Sequence, residues 1–201
     1  MSRLFFADID TQKDFMLPEG ALYVPGAERI RPKLRRLFQF AQKNNIQIIS
    51  SVDAHSADDP EFSQFPPHCI SGTEGQKKLE ETLVHRPLFL ENRPKDRNLV
   101  EDVRKYSQIV IEKQALDIFS NPVAEKLLRV LPSRAIVFGV ATEFCVKFAC
   151  LGLRRNNVHT VLVTDAIAAL SAKTEKEAMD EMREAGVEFI KSDALLEAGS
   201  R

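Results

Sequence analysis

The sequence is poor in cysteine, and the three that it has show no paired spacing. They are Cys69, Cys145 and Cys150 in a chain of 201 residues. An odd number of unpaired cysteines argues against a disulfide framework. We therefore expect a reducing, cytoplasmic location. Each thiol is then a buried apolar group, a metal ligand or a nucleophile.

An excess of charge of one sign and long apolar runs are also missing. The 28 basic and 29 acidic residues give a formal net charge of −1 and are interspersed, so we expect neither a nucleic-acid partner nor a membrane-surface partner. No apolar run approaches the roughly 20 residues of a membrane span, and the start "MSRLFFADID" turns acidic too early for a signal peptide. Without repeats or low-complexity tracts, and with 44% hydrophobic residues, residues 1–201 are predicted to form one domain.

Short apolar runs alternate with longer amphipathic ones along the chain. The predicted strands are 3–9, 46–52, 108–113, 134–140, 159–166 and 187–191. The predicted helices are 28–44, 99–106, 121–131, 143–156 and 174–185. Several strands are apolar on both faces, as in a buried parallel sheet. This alternation predicts an α/β fold in three α/β/α layers, with a mostly parallel sheet of about six strands.

Chemically useful side chains follow four of the predicted strands. They are Asp8, Asp10 and Asp14 after the first strand, Asp53 and His55 after the second, Lys113 at the end of the third, and Cys145 after the fourth. The carboxyl ends of parallel strands share one edge of a sheet, where ligands bind in such folds. We therefore expect a carboxylate, an Asp/His pair, a lysine and a thiol to converge there.

The stretch "GVATEFCV" predicts that Cys145 is a nucleophile. It is typical of a strand, a turn and a helix that begins near Thr142 or Glu143. A thiol in the first turn of a helix faces unpaired N–H groups, which lower its pKa and can hold an oxyanion. The alternative for Cys145 is a small buried apolar residue. Cys150 lies well inside the same helix, and we interpret it as core.

A thiol nucleophile needs a proton acceptor. No histidine lies near the first strand, so Asp10 is the candidate, provided that burial raises its pKa. Lys113 would lie beside both groups and stabilise either anion. The alternatives are a turn residue for Asp10 and a solvated strand-end lysine for Lys113.

The segment "DAHSADDPEFSQFPPHC" offers ligands for a metal. Two imidazoles and a carboxylate, from Asp53, His55 and His68, suit one divalent transition metal, with zinc expected first and iron or manganese as alternatives. The fourth ligand is open among Glu61, Asp58 and Asp59. Cys69 is either a sulfur ligand or a buried thiol, and the segment also fits a polar loop with incidental histidines.

Four motifs resemble those of the nicotinamidases (pyrazinamidases) of the isochorismatase-like cysteine hydrolases. They are "DTQKDF", "DAHS" with "FPPHCISGTEG", "EKQALDIFSN" and "GVATEFCV". The second is the most specific, because family members that hydrolyse isochorismate generally lack the metal histidines. Together the motifs extend over most of the chain.

The resemblance implies a role for each matching residue. Its implied residues are a triad of Asp10, Lys113 and Cys145, metal ligands Asp53, His55 and His68, an oxyanion hole from the N–H groups of Ala141 and Cys145 beside a cis Val140–Ala141 peptide, and a ring sandwich of Phe15 and Phe65. Where some members have a further histidine ligand, this chain has Glu61. Core packing is the alternative for the two phenylalanines.

The resemblance also implies an activity. The expected reaction converts nicotinamide, a small aromatic amide, to nicotinate and ammonia through a cysteine thioester. The alternatives are another small-amide or ureido hydrolase of the same superfamily, or a catalytically inactive ligand- or metal-binding protein. We expect a homo-oligomer. Segment 91–107 matches no family motif and is interpreted as either a lid or an oligomer contact.

Overall fold

A computed structural model describes residues 4–94 and 96–198. Its seven strands are β1 (Phe5–Ile9), β2 (Gln47–Asp53), β3 (Leu88–Leu90), β4 (Gln108–Lys113), β5 (Arg134–Val140), β6 (His159–Ala168) and β7 (Glu188–Ile190). All seven belong to one sheet in the order β3-β4-β2-β1-β5-β6-β7, and every pairing is parallel. The predicted parallel sheet is confirmed, with β3 as the additional strand. The first residue of the first predicted strand, Arg3, lies outside the described residues.

The helices cover both faces of this sheet. They are α1 (Lys13–Met16), α2 (Ala27–Lys43), α3 (Leu99–Lys105), α4 (Ala124–Leu128), α5 (Lys147–Arg155), α6 (Ala172–Glu184) and α7 (Ser192–Ala198). Side chains of α4, α5 and α6 pack on one face, and those of α2 and α7 pack on the other. Both layers of the predicted α/β/α arrangement are therefore present.

Side chains of β1 alternate between the two faces of the sheet and contribute to both layers of the core. Phe5, Ala7 and Ile9 point into one apolar cluster, while Phe6 points into the other. All four are almost fully buried, as expected for a strand at the centre of a doubly covered sheet. The carboxyl end of β1 therefore opens into the protein interior, between the ends of β2 and β5.

The helices α4 and α6 differ from the predicted ones, and each difference has a local cause. α4 starts later than the predicted helix 121–131, because the side chain of Asn121 is held outside the helix. This side chain accepts from Val123 N and donates to Glu112 O of β4. α6 begins two residues before the predicted helix 174–185, since the Ser171 hydroxyl caps α6 by accepting from Thr174 N. Gly186, just past the end of this helix, has φ +80°, the conformation that a terminating glycine adopts.

No helix among the described residues is both long and apolar enough to cross a membrane.

Candidate active site

The ends of four strands converge on the Lys113 ammonium group. Its Nζ lies 2.9 Å from Asp10 Oδ2 after β1 and donates a hydrogen bond to Asp53 Oδ1 at the end of β2. It also lies 3.4 Å from Cys145 Sγ, in the turn after β5. All four side chains are buried. The convergence predicted from the strand ends is therefore present.

Asp10 is held with one oxygen free to take a proton. The Ser51 hydroxyl donates to its Oδ1 at 2.6 Å. Its Oδ2 faces Lys113 but has no hydrogen bond of ordinary geometry among the described residues. Burial raises the pKa of Asp10 above its usual range, and the nearby Lys113 charge opposes that shift without cancelling it. A buried carboxylate with a raised pKa and a free lone pair suits a general base.

Lys113 remains charged in spite of its burial. Desolvation alone would lower the pKa of Lys113, but the carboxylates of Asp10 and Asp53 outweigh it and raise the pKa well above its usual value. One cation therefore faces two carboxylates and a thiol. The alternative of a solvated strand-end lysine is excluded, because this side chain is 1% exposed.

Cys145 lies in a kinked turn just before α5, and this corrects two expectations. Thr142–Val146 form a wide π-type turn in which Phe144 is non-helical (φ −117°, ψ −107°), so the regular helix begins only at Lys147. The cause is Ala141 O, which accepts from both Phe144 N and Val146 N. Burial raises the pKa of the Cys145 thiol well above its usual value, and Asp10 and Asp53 raise it further, against Lys113. The expected lowering of this pKa is not found. The thiol is protonated until a base takes its proton.

A second group of side chains lies next to the first and shares Asp53 with it. The Nε2 atoms of His55 and His68 are each 3.8 Å from Asp53 Oδ2. They lie 4.0 and 3.9 Å from Glu61 Oε1. The two nitrogens and two carboxylate oxygens therefore face a common point, in the pattern of a four-ligand site for a transition metal.

Both imidazoles are oriented from behind. His68 Nδ1 donates to Pro66 O at 2.8 Å, and His55 Nδ1 faces Asp59 Oδ2 at 2.9 Å. Each Nδ1 thus carries the hydrogen, and each Nε2 points to the common centre, as in metal sites where a carboxylate or carbonyl orients the ligand. His55 Nε2 is buried and lacks a hydrogen-bond partner among the described residues. The donor set therefore fits a divalent metal.

The field around His55 also favours a cation. Burial lowers the pKa of His55, but the nearby carboxylates of Asp53, Asp59 and Glu61 together raise it to about 9. Among the three candidates for a fourth ligand, Glu61 faces both Nε2 atoms, whereas Asp59 lies behind the His55 imidazole; no contact of Asp58 with this centre is found among the described residues. Cys69 is buried away from this centre, with its Sγ 4.0 Å from Gly75 O, and burial raises the pKa of its thiol.

An apolar cavity opens over both groups. Its lining includes Asp53, Glu61 and His68 on the metal side and Ala141 and Cys145 on the thiol side. Its remaining walls are Phe15, Leu22, Val24, Phe65, Leu116, Phe144 and Leu170. The two predicted ring contacts therefore line the cavity, as do both residues of the predicted oxyanion hole. The Val140–Ala141 peptide is cis, as the resemblance implied.

A family model, the isochorismatase domain, matches residues 8–194. The chain belongs to the isochorismatase family. It is a hydrolase of that family, and its relatives carry nicotinamidase and pyrazinamidase names. The nicotinamidase/pyrazinamidase of Mycobacterium tuberculosis (strain ATCC 25618 / H37Rv) is 27% identical over 190 residues, which are 90% of this chain and 95% of that protein.

Solved structures share the isochorismatase fold of this chain. The pyrazinamidase of Pyrococcus horikoshii, crystallised in complex with zinc, has a TM-score of 0.76 at 24% identity, over 94% of this chain and 99% of that one. PnC1 from L. infantum, in complex with nicotinate, has a TM-score of 0.75 at 23% identity, over 96% of each chain. At these identities the likeness concerns the fold.

Two residues of this isochorismatase-family site, Gln12 and Phe144, were missed by the sequence analysis, and Asp14 was named there without a role. Gln12 spans two segments, because its side chain accepts from Asp53 N and donates to Asp53 O and Gln76 O. Asp14 accepts from Cys69 N and Ala21 N, which fixes the loop after His68. Phe144 packs edge-on against Phe65 with ring centroids 5.4 Å apart. Only its place beside Cys145 could have indicated the last of these.

Proposed function

We propose that this protein is an amidohydrolase that converts nicotinamide to nicotinate and ammonia through a thioester on Cys145. The observation that carries the proposal is one apolar cavity with two chemical ends. At one end lies a thiol beside a buried carboxylate and a buried ammonium. At the other end lies a two-histidine, two-carboxylate centre.

The relatives support the same reaction class. One is named a nicotinamidase/pyrazinamidase, another was crystallised with zinc and a third with nicotinate. These names and ligands belong to those proteins. For this chain they favour an aromatic carboxamide as the substrate and a divalent metal, zinc first, as the cofactor.

The metal would be held by Asp53, His55, His68 and Glu61. When bound, it supplies a Lewis acid that attracts the ring nitrogen of the substrate. Asp53 also accepts from Lys113 through its other oxygen, so this carboxylate links the metal centre to the catalytic group. The remaining chemistry is assigned to side chains and backbone groups of the chain itself.

Asp10 would move the protons in this mechanism. Its free Oδ2 takes the thiol proton as Cys145 Sγ forms a bond to the amide carbon. The N–H groups of Ala141 and Cys145 hold the resulting oxyanion. Asp10 then gives the proton to the departing nitrogen, the C–N bond breaks and ammonia leaves a thioester. In the second half, Asp10 takes a proton from water, the hydroxyl attacks the thioester carbon, and the proton returns to the thiolate.

Lys113 would stabilise the anions that appear during these steps. Its ammonium is within 3.4 Å of Cys145 Sγ and 2.9 Å of Asp10 Oδ2. Negative charge passes from the carboxylate to the sulfur and back, and Lys113 faces both. A buried cation in a low dielectric acts strongly on such transfers.

The cavity walls favour a neutral aromatic substrate over a ureido acid. Among the described residues that line the cavity, the charged ones are Asp53 and Glu61, and no lysine or arginine is present. A substrate carboxylate that lay against these walls, away from the metal end, would therefore be buried without a partner, which is costly. This observation disfavours the ureido-hydrolase alternative. The free lone pair of Asp10 beside a thiol that lines the cavity disfavours the inactive-protein alternative.

The decisive experiment is ammonia release from nicotinamide by zinc-loaded protein. Pyrazinamide, benzamide and an N-carbamoyl amino acid form the comparison panel. We expect turnover of the two nitrogen-containing aromatic amides, a weaker reaction with benzamide because it lacks the ring nitrogen, and none with the ureido acid. Turnover of the ureido acid alone would replace the proposal with its first alternative. Failure to alkylate Cys145 with iodoacetamide, together with no turnover of any substrate, would favour an inactive binding protein.

A further inference from the structure

A second buried ion pair lies behind the proposed active site, outside the cavity lining. Lys78 Nζ is 2.7 Å from Asp8 Oδ2, and the two side chains are 1% and 0% exposed. Neither residue lines the cavity over Cys145. The proposed reaction assigns no role to this pair.

The pair belongs to a buried network of hydrogen bonds, which continues through Thr11 to Thr82 and through Ser50 to Gln108. Asp8 Oδ2 also accepts from the Ser50 hydroxyl at 2.7 Å, and Asp8 Oδ1 accepts from the Thr11 hydroxyl at 2.9 Å. Lys78 Nζ donates to Thr11 Oγ1 at 2.7 Å. We call Asp8, Thr11, Ser50 and Lys78 the Lys78 cluster. Because a buried ion pair is seldom more stabilising than an apolar pair of similar size, the presence of this one calls for a reason other than stability.

The Lys78 cluster holds both sides of the segment that carries Asp10. Asp8 lies two residues before Asp10 and Thr11 one residue after it. The backbone of this segment is also fixed to the Lys78 segment, since Leu79 N donates to Thr11 O at 3.0 Å and Lys13 N donates to Lys77 O at 2.9 Å. One ammonium thus fixes the side chains on either side of the proposed base.

Asp10 needs such support because its backbone is unfavourable. Its φ is +48°, in the left-handed region that non-glycine residues seldom adopt. Gln12 N donates to Asp10 O at 2.7 Å, which closes a tight bend there. A residue in this conformation persists only where its surroundings impose it. The bend directs the carboxylate towards Lys113, away from the direction that a continued β1 would give.

We propose that Lys78, acting through Asp8 and Thr11, is a positioning residue that holds the Asp10 carboxylate against Lys113 and Cys145. This inference rests on the proposed function, because it concerns the group that moves the protons in that reaction. It assigns Lys78 no contact with substrate or with the metal ligands. A loss of the Lys78 cluster should therefore slow the chemical step and leave substrate binding as it is.

The main test is the double variant Asp8→Asn/Lys78→Met, which removes both charges and leaves no unpaired ion. With the amide that the wild type turns over, we expect kcat to fall by about 10-fold or more, because small displacements of a reacting group have large effects on rate. KM should stay within about 2-fold, since no group that touches substrate has changed. The matched control is Arg97→Met/Asp102→Asn, which removes the partly buried pair beside α3 and should leave both constants unchanged. A double variant with wild-type kcat, or with raised KM alone, would overturn the inference.

A second variant covers the case in which the double variant does not fold. Thr11→Val removes one hydroxyl and keeps the ion pair, and Thr160→Val removes a hydroxyl that is equally buried in β6, where it donates to Val158 O. We expect Thr11→Val to lower kcat and Thr160→Val to leave it unchanged. Equal kcat values in the two would contradict the role of the cluster.

A crystal structure separates failure of this inference from failure of the proposed function. If the wild type releases no ammonia from any amide, the proposed function fails, but the position of Asp10 can still be compared between variants. In the double variant, or in Thr11→Val if the double variant does not fold, we expect the Asp10 carboxylate to leave its contact with Lys113. An Asp10 that keeps its left-handed backbone and its 2.9 Å approach to Lys113 would show that the Lys78 cluster does not position it.

Discussion

At the scale of single residues, neighbouring charge distinguishes two buried thiols that are only five positions apart. Cys145 has Lys113 at 3.4 Å and two carboxylates nearby. Cys150 is fully buried in α5, and burial alone raises the pKa of its thiol. This difference in surroundings is why the proposed nucleophile is Cys145, in the turn before α5, and Cys150, inside α5, is not.

We predict that Cys145→Ala abolishes amide turnover while the fold is retained, because the residue that forms the covalent bond has no substitute. Cys150→Ala is the matched control and should keep most of the activity. Ammonia release and circular dichroism of both variants provide the measurement. If the two variants lost activity equally, Cys145 would not be the nucleophile.

A second prediction separates the base from the cation. Asp10→Asn should stop ammonia release while iodoacetamide still labels Cys145, since alkylation needs no proton for a leaving amine. Lys113→Ala should raise the apparent pKa of labelling, because Lys113 is the group that lowers the thiol pKa, and should lower kcat by roughly 10²-fold. The measurement is the labelling rate against pH beside ammonia release. Near wild-type turnover in Asp10→Asn would transfer the acid–base role to another carboxylate.

A third prediction concerns the proposed metal ligands. His55→Ala and His68→Ala should each lose the metal, because each removes one of only two nitrogen ligands. Asp59→Asn should weaken metal binding by about 10- to 100-fold, since it alters the group that orients His55 and keeps an oxygen to accept from Glu61 N. His159→Ala is the control, as this exposed imidazole pairs with Glu188 on the surface. Elemental analysis after dialysis measures the retained metal, and full occupancy in both ligand variants would exclude this site.

The residue types at the site were predictable, but their energetics were not. Asp10, Asp53, Lys113 and Cys145 follow strand ends, and that position alone placed them together. The direction of the Cys145 pKa shift was missed, because it depends on burial and on two carboxylates that come from distant parts of the chain. Lys78 gave no signal in the sequence, since nothing local indicates that a lysine will be buried against Asp8.

At the scale of elements, the turn between β5 and α5 shows what periodicity cannot resolve. A helix from residue 143 was predicted, yet Thr142–Val146 are kinked and α5 starts at Lys147. The apolar pattern is the same for a helix and for this wide turn. The strand β3 and the helix α7 were missed for a related reason. Three residues in β3 and seven in α7 are too few to establish a period.

The close contact of β5 with β1 gives a prediction for Gly139. Its φ is +123°, and an added Cβ would lie 2.0 Å from Ile9 O. We expect Gly139→Ala to lower the free energy of unfolding by more than about 2 kcal/mol, because backbone strain and a backbone clash add together. Gly72→Ala is the control, with φ +83° and no atom within 4 Å, and should cost about 1 kcal/mol from backbone strain alone. Urea denaturation of both variants measures the difference, and equal losses would contradict the clash.

At the scale of the whole molecule, strand order explains why the site lies where it does. β1 is the centre of the sheet, and the chain adds β2 on one side of it and β5 on the other. The order of connection therefore reverses around β1, and ligands bind at such reversals in open α/β sheets.

The fold class and the site edge could be predicted from alternation and strand ends. The strand order could not, because it depends on long-range pairing. The expected homo-oligomer stays a prediction, and no described residue of segment 91–107 lines the cavity.

The last helix is joined to the rest of the molecule by Asp165 of β6, and this joint gives a pH-dependent prediction. Its carboxylate accepts from Ser192 N and Oγ at the start of α7, at 2.7 and 2.8 Å. It also lies 2.8 Å from Lys33 Nζ of α2. Burial would raise the pKa of Asp165, but Lys33 and Ser192 outweigh it and lower the pKa to about 2.

A folded-state pKa below the unfolded value stabilises the protein above the unfolded pKa, and this stabilisation is lost as pH falls through the folded pKa. Asp165→Asn should therefore cost about 1 kcal/mol at pH 7, after allowance for solvent screening. The difference in free energy of unfolding between wild type and Asp165→Asn should narrow between about pH 4 and pH 2, where the wild-type carboxylate is protonated. Asp193→Asn is the control, because its pair with Arg36 is exposed and should contribute little at any pH. Urea denaturation across this pH range measures this difference. A difference that stayed constant down to pH 2 would mean that Asp165 joins α7 to the sheet through hydrogen bonds alone.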